Sequence, residues 1–247
     1  MSGQILYLLM TGASAVMDRM ATTTTDLANA NTTAYKAEAA VFRAVPYYGE
    51  SDPDQVGVQA GTNSTKFAPG AIVETGRKLD IAVNGPGWIA VQDGDGKPAY
   101  TRSGSLQITA TGLLETDGGH PVLGQGATPI TLPPLQSITI GADGTVSGVP
   151  MGGNPNQLVA FDRIMLANPP QASLKRQPDG LFTDTSGALR IDGTVKLQSG
   201  ALEQSNVDQV GMMMNLIESS RVFQTETSLM HSTASMDSGA NSILSLQ

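Results

Sequence analysis

Cysteine is absent from the 247-residue chain. That removes disulfides, thiolate zinc sites and cysteine nucleophiles together. Histidine is nearly absent: only His120 and His231 occur, too few for a multi-histidine metal centre. Aromatics are 4% and charged residues 15% of the chain, both low for a compact enzyme. The 14 basic residues are outnumbered by 22 acidic ones, for a formal charge of -8. This balance argues against an electrostatic grip on nucleic acid or on an anionic membrane. No apolar run approaches the roughly 20 residues of a spanning helix; the run 5–10 is broken at once by Thr11 and Gly12. Ala13-Ser14-Ala15 has the small-residue pattern of a cleavage site, but the first basic residue, Arg19, comes after the apolar run. A cleaved signal peptide is therefore not expected.

Enzyme signatures are missing too. There is no G-x-S-x-G, G-x-x-x-x-G-K-[ST], H-E-x-x-H or G-x-G-x-x-G. Asp93-Gly94-Asp95-Gly96-Lys97 is loosely similar to a calcium loop, but it lacks a third acidic ligand and the Glu at the twelfth position. A tight hairpin accounts for it better. His120 stands before Pro121 in a turn context. His231 lies among Ser and Thr, and Met212-Met213-Met214 reads as adaptable packing. No catalytic residue, cofactor, metal or small-molecule substrate is expected.

What the chain has is glycine, 28 residues of it, and small polar side chains. These indicate many turns and surfaces that a partner completes. Three zones follow. To about Lys36 the pattern is helical: Leu6, Leu9, Ala13, Val16, Met20, Thr23 and Leu27 form an a/d seam at alternating spacings of 3 and 4. A helix over 4–30 would be roughly 40 Å long. Its seam is poor in bulk, and Thr22 to Thr25 are weak helix formers, so it should form against something else.

From about Tyr47 to Gly200 the chain reads as β. Six Asp-Gly dipeptides, at Asp93, Asp95, Asp117, Asp143, Asp179 and Asp192, are turn signals. Short β-prone runs over 79–83, 88–91, 137–140 and 194–197 flank them, which predicts an antiparallel meander or barrel-like domain. Residues 49–63 read as a connection or loop. Pro133-Pro134 and the stretch 150–155 read as breakers or loop tips.

The third zone, 206–246, is helical again, capped at Ser205 or Asn206. Val207, Val210, Met214 and Ile217 are spaced 3, 4, 3. Val222, Glu226, Leu229, Thr233, Met236, Ala240 and Ile243 form a second series, with a phase break between the two. Phe223 is assigned to the same packing face. The fold class is α+β: an antiparallel β-rich centre flanked by long N- and C-terminal helices that pair as a coiled coil. The divisions are 1–45, 46–200 and 201–247.

Four stretches resemble the axial rod and hook family of the bacterial flagellum. Residues 26–36, with Leu27, Ala28, Asn29, Ala30, Asn31, Thr32, Tyr35 and Lys36, are similar to that family's N-L-A-N-x-x-T-x-G-F-K. Leu79-Asp80-Ile81-Ala82-Val83-Asn84-Gly85 and Gly87-Trp88 resemble L-D-x-A-x-x-G-x-G-F/W. Tyr100 to Ser105, followed by Gly119 to Gly124, is the third stretch. Gly200 to Val207, with Leu216-Ile217-Glu218 and Arg221-Val222-Phe223, is the fourth and opens the family's C-terminal helix. Asp26, Ala34 and Tyr35 depart from the usual Asn, Gly and Phe. A Gly at position 34 would permit positive φ, so Ala34 makes that turn less comfortable.

The resemblance implies a structural subunit of a helical tube crossing the periplasm, with terminal helices as its core and the β domain outward. It implies a drive-shaft role, with copies of itself and neighbouring rod proteins as partners, and delivery by the flagellar export apparatus without a cleaved signal. Length and the run 88–92 resemble the proximal-rod branch more than the hook or distal-rod branches. The rivals are another rod or hook subunit, a β-rich binding module on a helical stalk, and a cell-wall hydrolase.

Overall fold

A computed structural model describes residues 2–49, 52–152, 157–187 and 191–244; side chains are described outside 2–5, 46–56 and 237–244. The chain divides into two compact units. One is built from 1–30, 37–66 and 207–247, the other from 31–36 and 67–206. The boundaries expected at 45/46 and 200/201 do not coincide with these units. Residues 46–66 go with the helices because they form strands that pair there. Residues 31–36 go with the β unit, whose interior they enter.

The first unit begins with helix α1, Ser2–Ala28, about 40 Å long. Its four consecutive threonines, Thr22 to Thr25, each donate their hydroxyl to the carbonyl four residues back. The helix thus absorbs a polar run without needing outside partners. Strands β1 (Glu38–Ala39), β2 (Phe42–Gly49), β3 (Asp52–Ala60) and β4 (Ser64–Thr65) follow. β2 and β3 form an antiparallel ribbon in which Phe42 faces Ala60 and Ala44 faces Val58. The loop expected over 49–63 is therefore largely strand. Its Asp, Gly and Pro content masked the strand.

Helix α2, Gln209–Leu244, is about 54 Å long. It packs along α1, and the sense is antiparallel: Gly12 meets Glu226, while Thr23 and Met212 line one groove. The N-cap is Asp208, whose Oδ1 accepts the Gly211 N–H at 3.2 Å, and not Ser205 or Asn206. Those two residues belong to the other unit, where Asn206 donates its backbone N–H to the Tyr35 carbonyl.

Among the described residues the second unit holds fourteen strands: β5 (Ile72–Glu74), β6 (Ile81–Asn84), β7 (Trp88–Gln92), β8 (Pro98–Thr101), β9 (Leu106–Ile108), β10 (Leu114–Thr116), β11 (Leu135–Ile140), β12 (Thr145–Pro150), β13 (Val159–Arg163), β14 (Leu166–Ala167), β15 (Leu174–Arg176), β16 (Phe182–Asp184), β17 (Lys196–Ser199) and β18 (Ala201–Glu203). Among the described residues the largest sheet runs β14-β7-β8-β16-β15, with antiparallel pairing throughout. Strand β7 is buried on both faces. Ile89 and Val91 enter a cluster with Ile81, Leu106 and Leu114. Trp88 and Ala90 enter a second with Tyr100, Met165 and Phe182. There the Trp88 and Phe182 rings lie 4.8 Å apart and tilted, an arrangement aromatic pairs favour.

The Asp-Gly turns join β7 to β8, β11 to β12 and β15 to β16, as paired neighbours. In the second of these, Gly144 has φ +88 and its Cβ position faces the Ile164 carbonyl at 3.2 Å. Replacing Gly144 with Val should cost about 1–3 kcal/mol. Urea unfolding followed by Trp88 fluorescence checks this, and an unchanged midpoint would refute the left-handed turn.

Candidate assembly interface

The motif at the end of α1 is organised around two buried acids. Asn29 closes the helix, its backbone N–H and side-chain amide both donating to the Thr25 carbonyl. Ala30 continues the turn by donating to Leu27. Asp26 is buried and accepts the Glu38 N–H with both carboxylate oxygens, at 3.1 and 3.2 Å. An acid replacing the family's Asn at this position suits such an acceptor-only role.

In the β unit the motif continues at Asn31 and Thr32. Tyr35 donates its N–H to the Thr32 carbonyl. Ala34 takes φ +56, the strained turn expected where Gly is usual. Its N–H is held by the Glu203 carbonyl at 2.8 Å. Tyr35 is buried with the Arg176 guanidinium 4.3 Å from its ring centre, and Arg176 also donates to the Lys36 carbonyl.

Lys36 and Glu203 are both fully buried and joined at 2.6 Å. Glu203 binds Arg102 Nε with its second oxygen, also at 2.6 Å, and accepts the Gly70 N–H at 3.0 Å. Further donors go to carbonyls: Ala68 for Lys36, and Gly85, Gly87 and Val83 for Arg102. Two cations thus share one carboxylate. Burial lowers the Lys36 pKa below its ordinary 10.5, opposed by Glu203 and reinforced by Arg102. The motif reading included Lys36 but assigned no role to Glu203 or Arg102. Strand alternation was the available signal, since Ala201 and Glu203 share a face and both are buried.

The two helices carry the residues proposed for packing. On α1, Leu9, Ala13, Val16, Met20, Thr23 and Leu27 are buried or half-buried, and Leu6 lies at the exposed end of the row. On α2 the row differs from the one read in sequence. Val210, Met214, Ile217, Leu229 and Met236 are half exposed or more, with Met236 at 71%. The covered row is Met212, Leu216, Ser219, Phe223, Glu226, Met230 and Thr233. Its spacing of 4, 3, 4, 3, 4, 3 has no phase break, so the expected break between Ile217 and Val222 does not occur on the inner face. Of the residues named on this helix, Phe223, Glu226 and Thr233 lie in the covered row. Val207, just before the helix, is half-buried, and the side chain of Ile243 is outside the described residues.

Two open grooves of about 310 and 390 Å³ lie on the helical unit, one beside Arg19 and Lys66, the other beside Tyr7 and Asp18. Among the described residues no three His, Cys, Asp or Glu side chains converge as metal ligands. Among those residues, too, no helix is long and apolar enough to cross a membrane. One unit is thus a β unit, and the other a helix pair with apolar residues on an inner and an outer face.

Comparison with known proteins identifies the class. Residues 82–148 match the flagellar hook protein FlgE/F/G D1 domain, and residues 198–243 match the flagellar basal body rod FlgEFG protein C-terminal region. The chain belongs to this family of flagellar hook and basal-body rod proteins. It is 37% identical to the flagellar basal-body rod protein FlgF of Salmonella typhimurium, over 98% of each chain. To FlgF of Escherichia coli it is 38% identical over the same share of each. To the flagellar basal-body rod protein FlgG of Buchnera aphidicola it is 29% identical, over 94% of this chain and 96% of that one.

The charge count of the buried cluster gives an ordered prediction. Glu203→Gln leaves two buried cations without an anion and should cost about 3–5 kcal/mol. Lys36→Met leaves one cation with one carboxylate and should cost about 1–3 kcal/mol. Denaturant melts of both variants check the order, which reverses if Glu203 is not the shared counter-ion. A pH dependence follows as well. Because the folded-state Lys36 pKa lies below 10.5, the unfolded chain binds more protons between the two values. Stability therefore gains from this group as pH rises through that window. Lys36→Met should remove the gain, measurable as a flatter alkaline stability profile.

Proposed function

We propose that this chain is a structural subunit of the proximal part of the flagellar rod, one that polymerises with other rod proteins into a torque-transmitting tube. The observation that carries the reading is the 37–38% identity to two FlgF proteins over 98% of this chain and of theirs. The outer apolar row of α2, from Val210 to Met236, supports it physically, because a soluble monomer seldom leaves such a row uncovered. In the assembled rod α1 and α2 pair as a coiled coil and present that row to neighbouring subunits, copies of this chain or other rod proteins. A head-to-tail contact that does not close propagates as a helix. The chain reaches the rod through the flagellar export apparatus, without a cleaved signal. Its role is mechanical, with no catalysis, cofactor or substrate. The distal rod is the second reading, favoured by the near-full-length match to a FlgG protein.

Quantitative mass spectrometry of purified hook–basal bodies tests the position. A handful of copies against the hook protein is expected for the proximal rod, several times more for the distal rod, and absence would sink both readings. Ile217→Asp tests the surface. Ile217 is 56% exposed, so the variant should fold normally yet fail to build rods, since a neighbour would have to bury its charge. Normal swimming by that strain would remove the outer row from the interface.

A further inference from the structure

Glu226 is half-buried in the helix pair, with one carboxylate oxygen fully covered. Glu226 lies in the covered row of α2 and occupies the space left by Gly12 of α1: a Cβ on Gly12 would stand 2.9 Å from Glu226 Oε1. Its other oxygen, Oε2, is buried and makes no hydrogen bond. Gly12 costs α1 about 1 kcal/mol of helix propensity against Ala, and the slot it creates holds a carboxyl.

The surroundings supply no counter-ion. One turn away on α2 stand Val222, Phe223, Leu229 and Met230. The nearest ionisable groups on that helix, Arg221 and His231, are five residues off, about 140° around the axis. On α1 no ionisable residue occurs from Leu8 to Val16; Tyr7 precedes that span, and Asp18 and Arg19 follow it. From β3, which packs along α1, residues 57–60 carry no charge. Its partner β2 brings the exposed Arg43, paired across the ribbon with Gln59. Glu38 of β1 is engaged by the Asn63 amide. An ionised carboxylate here keeps one oxygen neither hydrated nor paired, which opposes helix pairing. A neutral carboxyl carries a far smaller penalty.

We propose that Glu226 is a proton-operated latch in the α1–α2 pair: protonated, it fits the Gly12 slot and tightens the pair, and ionised, it loosens it. Burial raises the pKa of this carboxyl above its ordinary 4.5, which agrees in sign. The folded state holds the extra proton between 4.5 and the raised value. The stabilisation is therefore complete below 4.5 and is lost as pH rises through the folded-state pKa.

The test uses the full chain, with thermal melts followed in the helical circular-dichroism band from about pH 7 down to about pH 5. Wild type should gain roughly 2 °C or more over that range relative to Glu226→Gln, which is neutral and nearly isosteric. The Gln variant should melt above wild type at neutral pH. Gly12→Ala, which closes the slot, should abolish the pH difference between Glu and Gln at position 226. A carbon-detected NMR titration of the Glu226 carboxyl should give a midpoint above 4.5. Identical pH profiles for wild type and Glu226→Gln would overturn the proposal, as would a carboxyl midpoint at or below 4.5.

Discussion

The β unit depends on one carboxylate. Glu203 is fully buried and holds Lys36 on one oxygen and Arg102 on the other. Its own carbonyl fixes the strained turn at Ala34. Burying three charges is costly, and attraction offsets that cost only where every remaining donor is satisfied. Here four carbonyls and the Gly70 amide add hydrogen bonds around the three charges. The cluster therefore acts through geometry. Apolar side chains at 36, 102 and 203 could pack in several registers, whereas two directed ion contacts to one carboxylate admit one. It draws a segment near the start of the chain and one near its end into the same interior.

Those flanking segments are also where the sequence was most and least legible. The α1 row could be read because small and apolar residues recur at unbroken heptad spacing from Leu6 to Leu27. The α2 row could not. That helix has apolar residues on two faces, and Val210, Met214 and Ile217 lie on the outer face. The inner row is interrupted by Ser219, Glu226 and Thr233, so a search for apolar periodicity follows the wrong stripe. What decides the inner face is fit at close approach, which spacing alone does not encode.

The β unit was legible through its punctuation. Asp-Gly pairs at Asp93, Asp143 and Asp179 sit in hairpin connections because their conformational freedom is local and needs no tertiary context. The β2–β3 ribbon was missed because the Gly, Pro and Asp content of 49–63 hides a weak strand propensity. Glu203 and Arg102 were quoted only as members of recurring stretches. Their meaning lies in a contact between residues 101 positions apart, and no local pattern reports that.

The Lys36–Glu203 contact spans 167 positions. Loop closure over such a length is slow relative to local hairpin formation, because its entropy must be lost before the contact forms. A growing or threading chain thus carries Lys36 and Arg102 in water, fully hydrated, until Glu203 arrives. Hairpins can form and dissolve in the meantime, but the interior that accepts those two cations cannot close around them. The order of the chain acts as a timer, keeping the β unit open until nearly all of its own residues are present.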